Sequence, residues 1–333
     1  MNIVFLGGSI TWGAGADSYE ECWAYRVEQY LRNRFYRPIE SFNLGISGTG
    51  SRLGVFRLAD QVLPCRPDIL IFEFSVNDSG PAKQNADDVI ADTEYIFRTV
   101  LRENPGVRIL VLSSAMRNGE SCVSTHKKVA DHYGAGHIDI QSYFSSLVSE
   151  GEYTWDDLLV DAVHPATKGH ALYADYVIDW MERNPDFFLK DLTLPEPILP
   201  NRYFFPAIVD PQRFVWTGDW ADEPYEDVKR HPAANVNSAW TTRQLGAEGT
   251  LTFRGSTFSI YHYVGQDGGK LEVVVDDRPA AVQDTYYNCG GDFVCFFNVT
   301  DLEYGVHTVR LRNIEKAPGA GAGRISIAGF LIN

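Results

Sequence analysis

No run of about 18 apolar residues occurs in the 333-residue chain, so no segment is predicted to cross a membrane as a helix. Basic residues are the next shortage, with 29 Lys and Arg against 44 Asp and Glu and a net charge of −15. An acidic surface without a basic cluster repels phosphate backbones, which removes nucleic acid from the expected partners. Cysteine is sparse and unpatterned. Cys22, Cys65, Cys122, Cys289 and Cys295 are odd in number and lack metal-ligand spacing, so reduced, packed thiols are expected rather than a disulfide frame or a zinc site. Only Met1 and Asn2 precede the first apolar run, which leaves no room for a charged and then apolar leader. As written, the chain is expected in the cytoplasm, unless a secretion signal has been removed.

What is present suffices for two packed domains. Hydrophobic residues make up 44% and aromatic residues 13% of the chain, enough to fill real cores. From residue 1 to 185, short apolar β-branched runs at 3–6, 39–43, 69–74, 108–112 and 137–140 alternate with helical patterns near 22–35, 52–63, 86–103, 121–132 and 166–183. Nearly continuous apolar strands separated by helices predict a three-layer α/β domain, a parallel sheet covered on both faces. Its ligand crevice is expected at the carboxyl ends of the strands. Residues 186–211 are proline-rich and read as a semi-rigid connector. From 212 to 333, alternating runs at 250–253, 258–263, 271–275, 293–298 and 307–312 are punctuated by turn clusters, which predicts an antiparallel β-sandwich of jelly-roll type.

The chemistry-bearing residues lie in the first half. Ser9 stands in Gly7-Gly8-Ser9-Ile10-Thr11 directly behind Ile3-Val4-Phe5-Leu6, so glycines deliver a serine off a buried strand. A serine is a weak nucleophile without a base, and Asp161-Ala162-Val163-His164 supplies a carboxylate and an imidazole. Pro165 disfavours the α conformation at His164 and sets the imidazole at the mouth of the following helix. On spacing alone Asp156 and Asp157 rival Asp161 as its partner. Between these segments lie Asn43-Leu44-Gly45-Ile46-Ser47-Gly48 and Ser75-Val76-Asn77-Asp78, each just after a predicted strand.

Four such blocks in this order resemble the SGNH (GDSL-like) hydrolase superfamily over about residues 1–185. The resemblance implies a flavodoxin-like fold and a cofactor-free and metal-free serine esterase. It selects Asp161 as the acid of a Ser9–His164–Asp161 triad, and it implies an oxyanion hole of the Ser9 N–H, the Gly48 N–H and the Asn77 amide. Two positions depart from the family pattern, Gly8 for its aspartate and Ser75 for its glycine. The Gly-Gly-Ser-Ile-Thr form with Glu73-Phe74-Ser75-Val76-Asn77-Asp78 resembles bacterial members that deacetylate carbohydrates. The second half is similar to the galactose-binding-like modules attached to esterases.

The expected activity is therefore hydrolysis of short acyl esters, above all acetyl, on a small molecule or oligosaccharide. The alternatives are a lipid or thioester hydrolase using the same residues and a non-catalytic carbohydrate-binding protein. Trp12 and Trp155 stand beside the serine and histidine blocks and read equally as cleft lining or core. Trp216, Trp220, Trp240, Tyr286 and Tyr287 read equally as a sugar platform or sandwich core.

Overall fold

The computed structural model describes all residues except 81–83, 120, 226–235, 289–290, 300–301, 317 and 319–322, and the side chains of 292 and 295–297. The chain divides into two units, Met1–Asn201 and Arg202–Asn333.

In the first unit β1 (Asn2–Gly7), β2 (Glu40–Asn43), β3 (Ile69–Glu73), β4 (Arg108–Ser113) and β5 (Gly136–Asp139) form one parallel sheet in the order β2-β1-β3-β4-β5. The helices are α1 (Ser9–Trp12), α2 (Trp23–Arg34), α3 (Ser51–Phe56), α4 (Ser75–Asp78), α5 (Ala86–Glu103), α6 (Val123–Tyr133), α7 (Ile140–Ser149), α8 (Trp155–Leu158) and α9 (Thr167–Arg183). On one face Ile3, Phe5, Ile71, Leu110 and Ile138 pack with Trp23 and Val27 of α2, Phe144 of α7 and Tyr173 and Val177 of α9. On the other, Phe72 meets Phe97 of α5 and His126 of α6 edge-on. Burial on both faces explains why these strands read as unbroken apolar runs.

The strand order reverses between β1 and β3, and the connections leaving these neighbours diverge to opposite faces. The segment after β1 carries Ser9 at the start of α1, the loop after β2 carries Gly48, and the segment after β3 carries Asn77 within α4. The predicted helix at 52–63 is shorter than expected: α3 ends at Phe56, and a single π-type turn at Leu58–Val62 follows. The helices α7 and α8 had no counterpart in the sequence pattern.

The unit boundary falls inside the proline-rich segment rather than at its ends. Residues 186–201 belong to the first unit because buried Glu94 accepts the Ile198 and Leu199 N–H groups at 2.5 and 3.2 Å. Arg98 Nη1 also donates to the Pro195 carbonyl at 2.5 Å. Residues 202–211 belong to the second unit, where β6 (Ala207–Val209) pairs with the last strand of the chain.

That unit holds β7 (Val215–Thr217), β8 (Ala221–Pro224), β9 (Ser238–Thr242), β10 (Glu248–Gly255), β11 (Phe258–Val264), β12 (Gly269–Val275), β13 (Arg278–Asp284), β14 (Asp292–Val299), β15 (Gly305–Lys316) and β16 (Ile325–Ile332). Two antiparallel sheets, ordered β13-β12-β15-β10-β7 and β14-β11-β16-β9-β8, share a core of Leu251, Phe253, Ile260, Leu271, Val309, Ile327 and Phe330. Strict alternation of buried and exposed residues along β10 and β15 marks a sheet with one face on that core. Trp220 is buried in it, and Trp216 and Trp240 pack against it, with Trp216 and Trp220 ring centroids 4.4 Å apart, so these indoles are core residues rather than a platform. Asp276 and Asp277 take positive φ of 50° and 60° in the tight β12–β13 hairpin, a turn role. Cys22, Cys65 and Cys122 are free thiols, and Cys289 lies outside the described residues.

Candidate active site

Ser9 opens α1 immediately after β1 and is almost fully buried. Its Oγ lies 2.8 Å from His164 Nε2, and His164 Nδ1 lies 2.6 Å from Asp161 Oδ2. With the Nδ1 proton donated to the carboxylate, Nε2 is left to accept from the Ser9 hydroxyl. The second carboxylate oxygen, Oδ1, accepts the N–H groups of Val163 and His164, both at 2.8 Å. Partial burial pushes the Asp161 carboxyl up, but the His164 ring and these two N–H groups outweigh it and hold its pKa below the ordinary carboxylate value.

The loop that carries both residues is pinned on each side. Val160 N–H donates to the His164 carbonyl at 2.9 Å, Ala166 N–H to Leu158 at 2.8 Å, and Arg117 N–H to Ala162 at 2.9 Å. Gly15 has φ +96°, and a Cβ there would lie 2.1 Å from the Pro165 carbonyl, so only glycine allows the α1 exit to pass beneath the loop. Neither rival aspartate reaches the imidazole: Asp156 pairs with Arg117 at 2.7 Å, and Asp157 closes a capping box with Thr154 at the start of α8.

On the segments after β1, β2 and β3 three polar donors are without an acceptor among the described residues. The backbone N–H groups of Ser9 and Gly48 donate to no acceptor among the described residues. Gly48 sits at φ +71°, a conformation suited to glycine that turns the loop after β2. Asn77 lies within α4, and its side chain caps no turn among the described residues. The Asn77 amide packs over the nucleophile turn so closely that a Cβ on Gly8 would lie 2.2 Å from Asn77 Oδ1. That oxygen is buried without a partner among the described residues, and Nδ2 donates to none of them.

The GDSL-like Lipase/Acylhydrolase family matches residues 5–172, just over half of the chain. The chain belongs to this family. Comparison with curated proteins gives no match. Among solved structures, a two-domain esterase active on acetylated mannans, co-crystallized with mannopentaose, aligns over 99% of this chain and 90% of its own with 25% identity and a TM-score of 0.85. A second structure of a two-domain esterase active on acetylated mannans aligns over the same shares with a TM-score of 0.84 and 25% identity. Similarity over 99% of the chain extends across both units.

The departures from the GDSL pattern are sterically intelligible. With Asn77 placed as it is, position 8 has no space for a side chain. Ser75, where the family has glycine, accepts the Ser114 N–H on its Oγ at 2.8 Å and so ties α4 to the end of β4.

Beneath Ser9 lies a group that the four blocks do not contain. Glu73 ends β3, is fully buried, and accepts from Thr11 Oγ1 at 2.8 Å and from Ser114 Oγ at 2.5 Å. Tyr173 OH lies 2.6 Å from the same Ser114 oxygen. Burial raises the Glu73 pKa from 4.5 to about 7 despite these bonds. A charged residue inside an apolar strand run was the available signal, since such a side chain needs buried partners.

Trp12 ends α1 partly exposed, whereas Trp155 packs against the core. His170 is buried, with Trp23 N–H donating to its Nδ1 at 3.4 Å and Ala14 O 3.1 Å from its Nε2, and burial lowers its pKa to about 4. It is a packed neutral histidine. Among the described residues no group of three His, Cys, Asp or Glu side chains could hold a metal ion.

Proposed function

We propose that this GDSL-family hydrolase removes acetyl groups from carbohydrate esters through Ser9, His164 and Asp161. The observation that carries the reading is the continuous Ser9–His164–Asp161 hydrogen-bonded chain, at 2.8 and 2.6 Å. Similarity along both units to an esterase active on acetylated mannans supports acetylated mannan as the first substrate class to test.

In the proposed path His164 Nε2 takes the Ser9 proton as Oγ bonds to the ester carbonyl carbon. The carbonyl π electrons move to oxygen, where the Ser9 N–H, the Gly48 N–H and the Asn77 amide donate to the oxyanion. Collapse breaks the carbon–oxygen bond to the sugar, whose alkoxide leaves with the imidazolium proton. Asp161 stabilises that imidazolium and holds the ring. Water, deprotonated by His164, then attacks the acetyl-enzyme, and acetate leaves as Ser9 recovers its proton.

The second unit contributes sugar-binding surface in this reading, supported by its similarity to part of the same two-domain esterase. Acetate release from acetylated mannooligosaccharides, compared with hydrolysis of aryl esters of increasing chain length, tests the assignment. Release of acetate with falling rates beyond short acyl chains is expected. Preference for long acyl chains or thioesters would move the enzyme to the lipid or thioester class.

A further inference from the structure

One buried polar pair lies outside the proposed triad, and one of its members bonds to both of the segments that would form the oxyanion hole. Asp78 closes α4 directly after Asn77 and is fully buried. Its Oδ1 accepts the N–H of Ser51 at 2.8 Å, the first residue of α3 and the end point of the loop that carries Gly48. Its Oδ2 lies 2.9 Å from Nε2 of His126, also fully buried, on α6. Thus a single carboxylate joins the Asn77 helix to the Gly48 loop, and a histidine from a third element holds the carboxylate.

The surroundings leave this carboxylate little freedom. Gly50 packs so tightly against it that a Cβ there would lie 2.5 Å from Oδ1. Within the Gly48 loop Thr49 Oγ1 donates to the Ile46 carbonyl at 2.9 Å, and at its other end the Ile46 N–H donates to the Gly7 carbonyl at 3.0 Å. The Cys122 N–H, at the cap of α6, donates to the Ser75 carbonyl at 3.1 Å, so α6 grips both ends of α4. His126 Nδ1 has no partner among the described residues, and the side chain makes its one polar contact with Asp78. Burying an imidazole with half its polar capacity unused costs stability, so the contact it does make carries weight.

We infer that Asp78, oriented by His126, is a positioning residue that fixes the separation of the Gly48 N–H and the Asn77 amide. This rests on the oxyanion-hole reading given above. Oxyanion donors act only when they are preset toward the developing charge, so loosening the link should cost transition-state stabilisation and leave ground-state binding intact.

The test compares His126→Leu, His126→Gln and Gly50→Ala with wild type and with Ser9→Ala on an aryl acetate, together with inhibition by a small alkylboronic acid that forms a tetrahedral adduct with a nucleophilic serine. His126→Leu removes the donor to Asp78. Gln reaches the same position with an N–H. The backbone at Gly50 has negative φ, so alanine is tolerated there except for its contact with Asp78 Oδ1. The expected result is a kcat lower by about 10- to 100-fold in His126→Leu and Gly50→Ala, with KM within about 3-fold and boronate inhibition weakened by a similar factor to kcat. His126→Gln should restore most of the loss.

Wild-type kcat in folded His126→Leu or Gly50→Ala, with only the melting temperature lowered, overturns the inference. So does a loss confined to KM. If His126→Leu does not fold, Gly50→Ala and His126→Gln decide the matter. Full turnover by Ser9→Ala would instead overturn the active-site reading itself, which separates the two failures.

Discussion

Ser9 Oγ and His164 Nε2 are 155 residues apart in the chain and 2.8 Å apart in space. Ser9 arrives there on the turn after β1, and His164 on a loop locked by Asp161 and by the backbone of Val160, Ala166 and Arg117. Both sides of the contact are fixed before any substrate binds. Ser9→Ala and His164→Ala should each lower turnover of an aryl acetate by about 10³-fold or more in steady-state assays, whereas Asp161→Asn should cost less because the imidazole remains a base. A triad acid of no consequence would show as an Asp161→Asn rate equal to wild type.

The Asn77 amide packs over Gly8, and its nitrogen has no described acceptor. Asn77→Ala should therefore reduce kcat by about 10²- to 10³-fold with little change in KM. A defect confined to KM, or inactivity accounted for by a lowered melting temperature, would assign Asn77 a structural role.

Most of the first unit was legible because parallel strands buried on both faces keep one unbroken apolar signal, and all five fall within two residues of expectation at either end. The hydrogen-bonded Ser9–His164–Asp161 chain was legible because its members sit in short local blocks, although the choice of Asp161 over Asp156 and Asp157 came from family resemblance. The capping box of Thr154 and Asp157 was a local signal that could have removed one rival. Other features have no local signature. The pairing of His126 with Asp78 joins residues 48 apart, and β7 is too short and β8 too polar to stand out from turns. The proline-rich stretch 195–200 reads as linker because only the fold reveals Glu94 as the acceptor of the Ile198 and Leu199 N–H groups.

Glu73 gives a pH-dependent test of the layer beneath the nucleophile. Its pKa is raised by burial from 4.5 to about 7, so the folded state holds a proton that the unfolded state has lost across that interval. Its contribution to stability is therefore fully present below pH 4.5 and is lost as pH rises through about 7. Glu73→Gln lacks this titration, so its stability relative to wild type should rise by about 2 to 3 kcal/mol between about pH 5 and pH 8. Denaturant unfolding of both proteins at each pH measures the difference, in which shared titrations cancel. A pH-independent difference would mean that Glu73 ionises freely.

The second unit can be removed at a boundary that spares the first. A chain ending at Asn201 keeps the Ile198 and Leu199 N–H groups on Glu94, whereas one ending near Pro195 strips a buried carboxylate of both and should be markedly less stable. The Asn201 form should hydrolyse an aryl acetate within about 3-fold of the full chain and lose about 10-fold or more in kcat/KM on an acetylated mannooligosaccharide. Equal losses on both substrates would show that the second unit serves the catalytic site itself, and no loss on either would remove its sugar-binding role.

If Ser9 carries the acetyl group from a sugar to water, rapid-quench peptide mass spectrometry during turnover of an acetylated mannooligosaccharide should catch it there. The expected result is a transient acetyl group on the Ser9 peptide of the wild-type enzyme, accompanied by released acetate, and neither in Ser9→Ala. Acetate released at the wild-type rate by Ser9→Ala, or a transient acetyl group on any other residue, would contradict it.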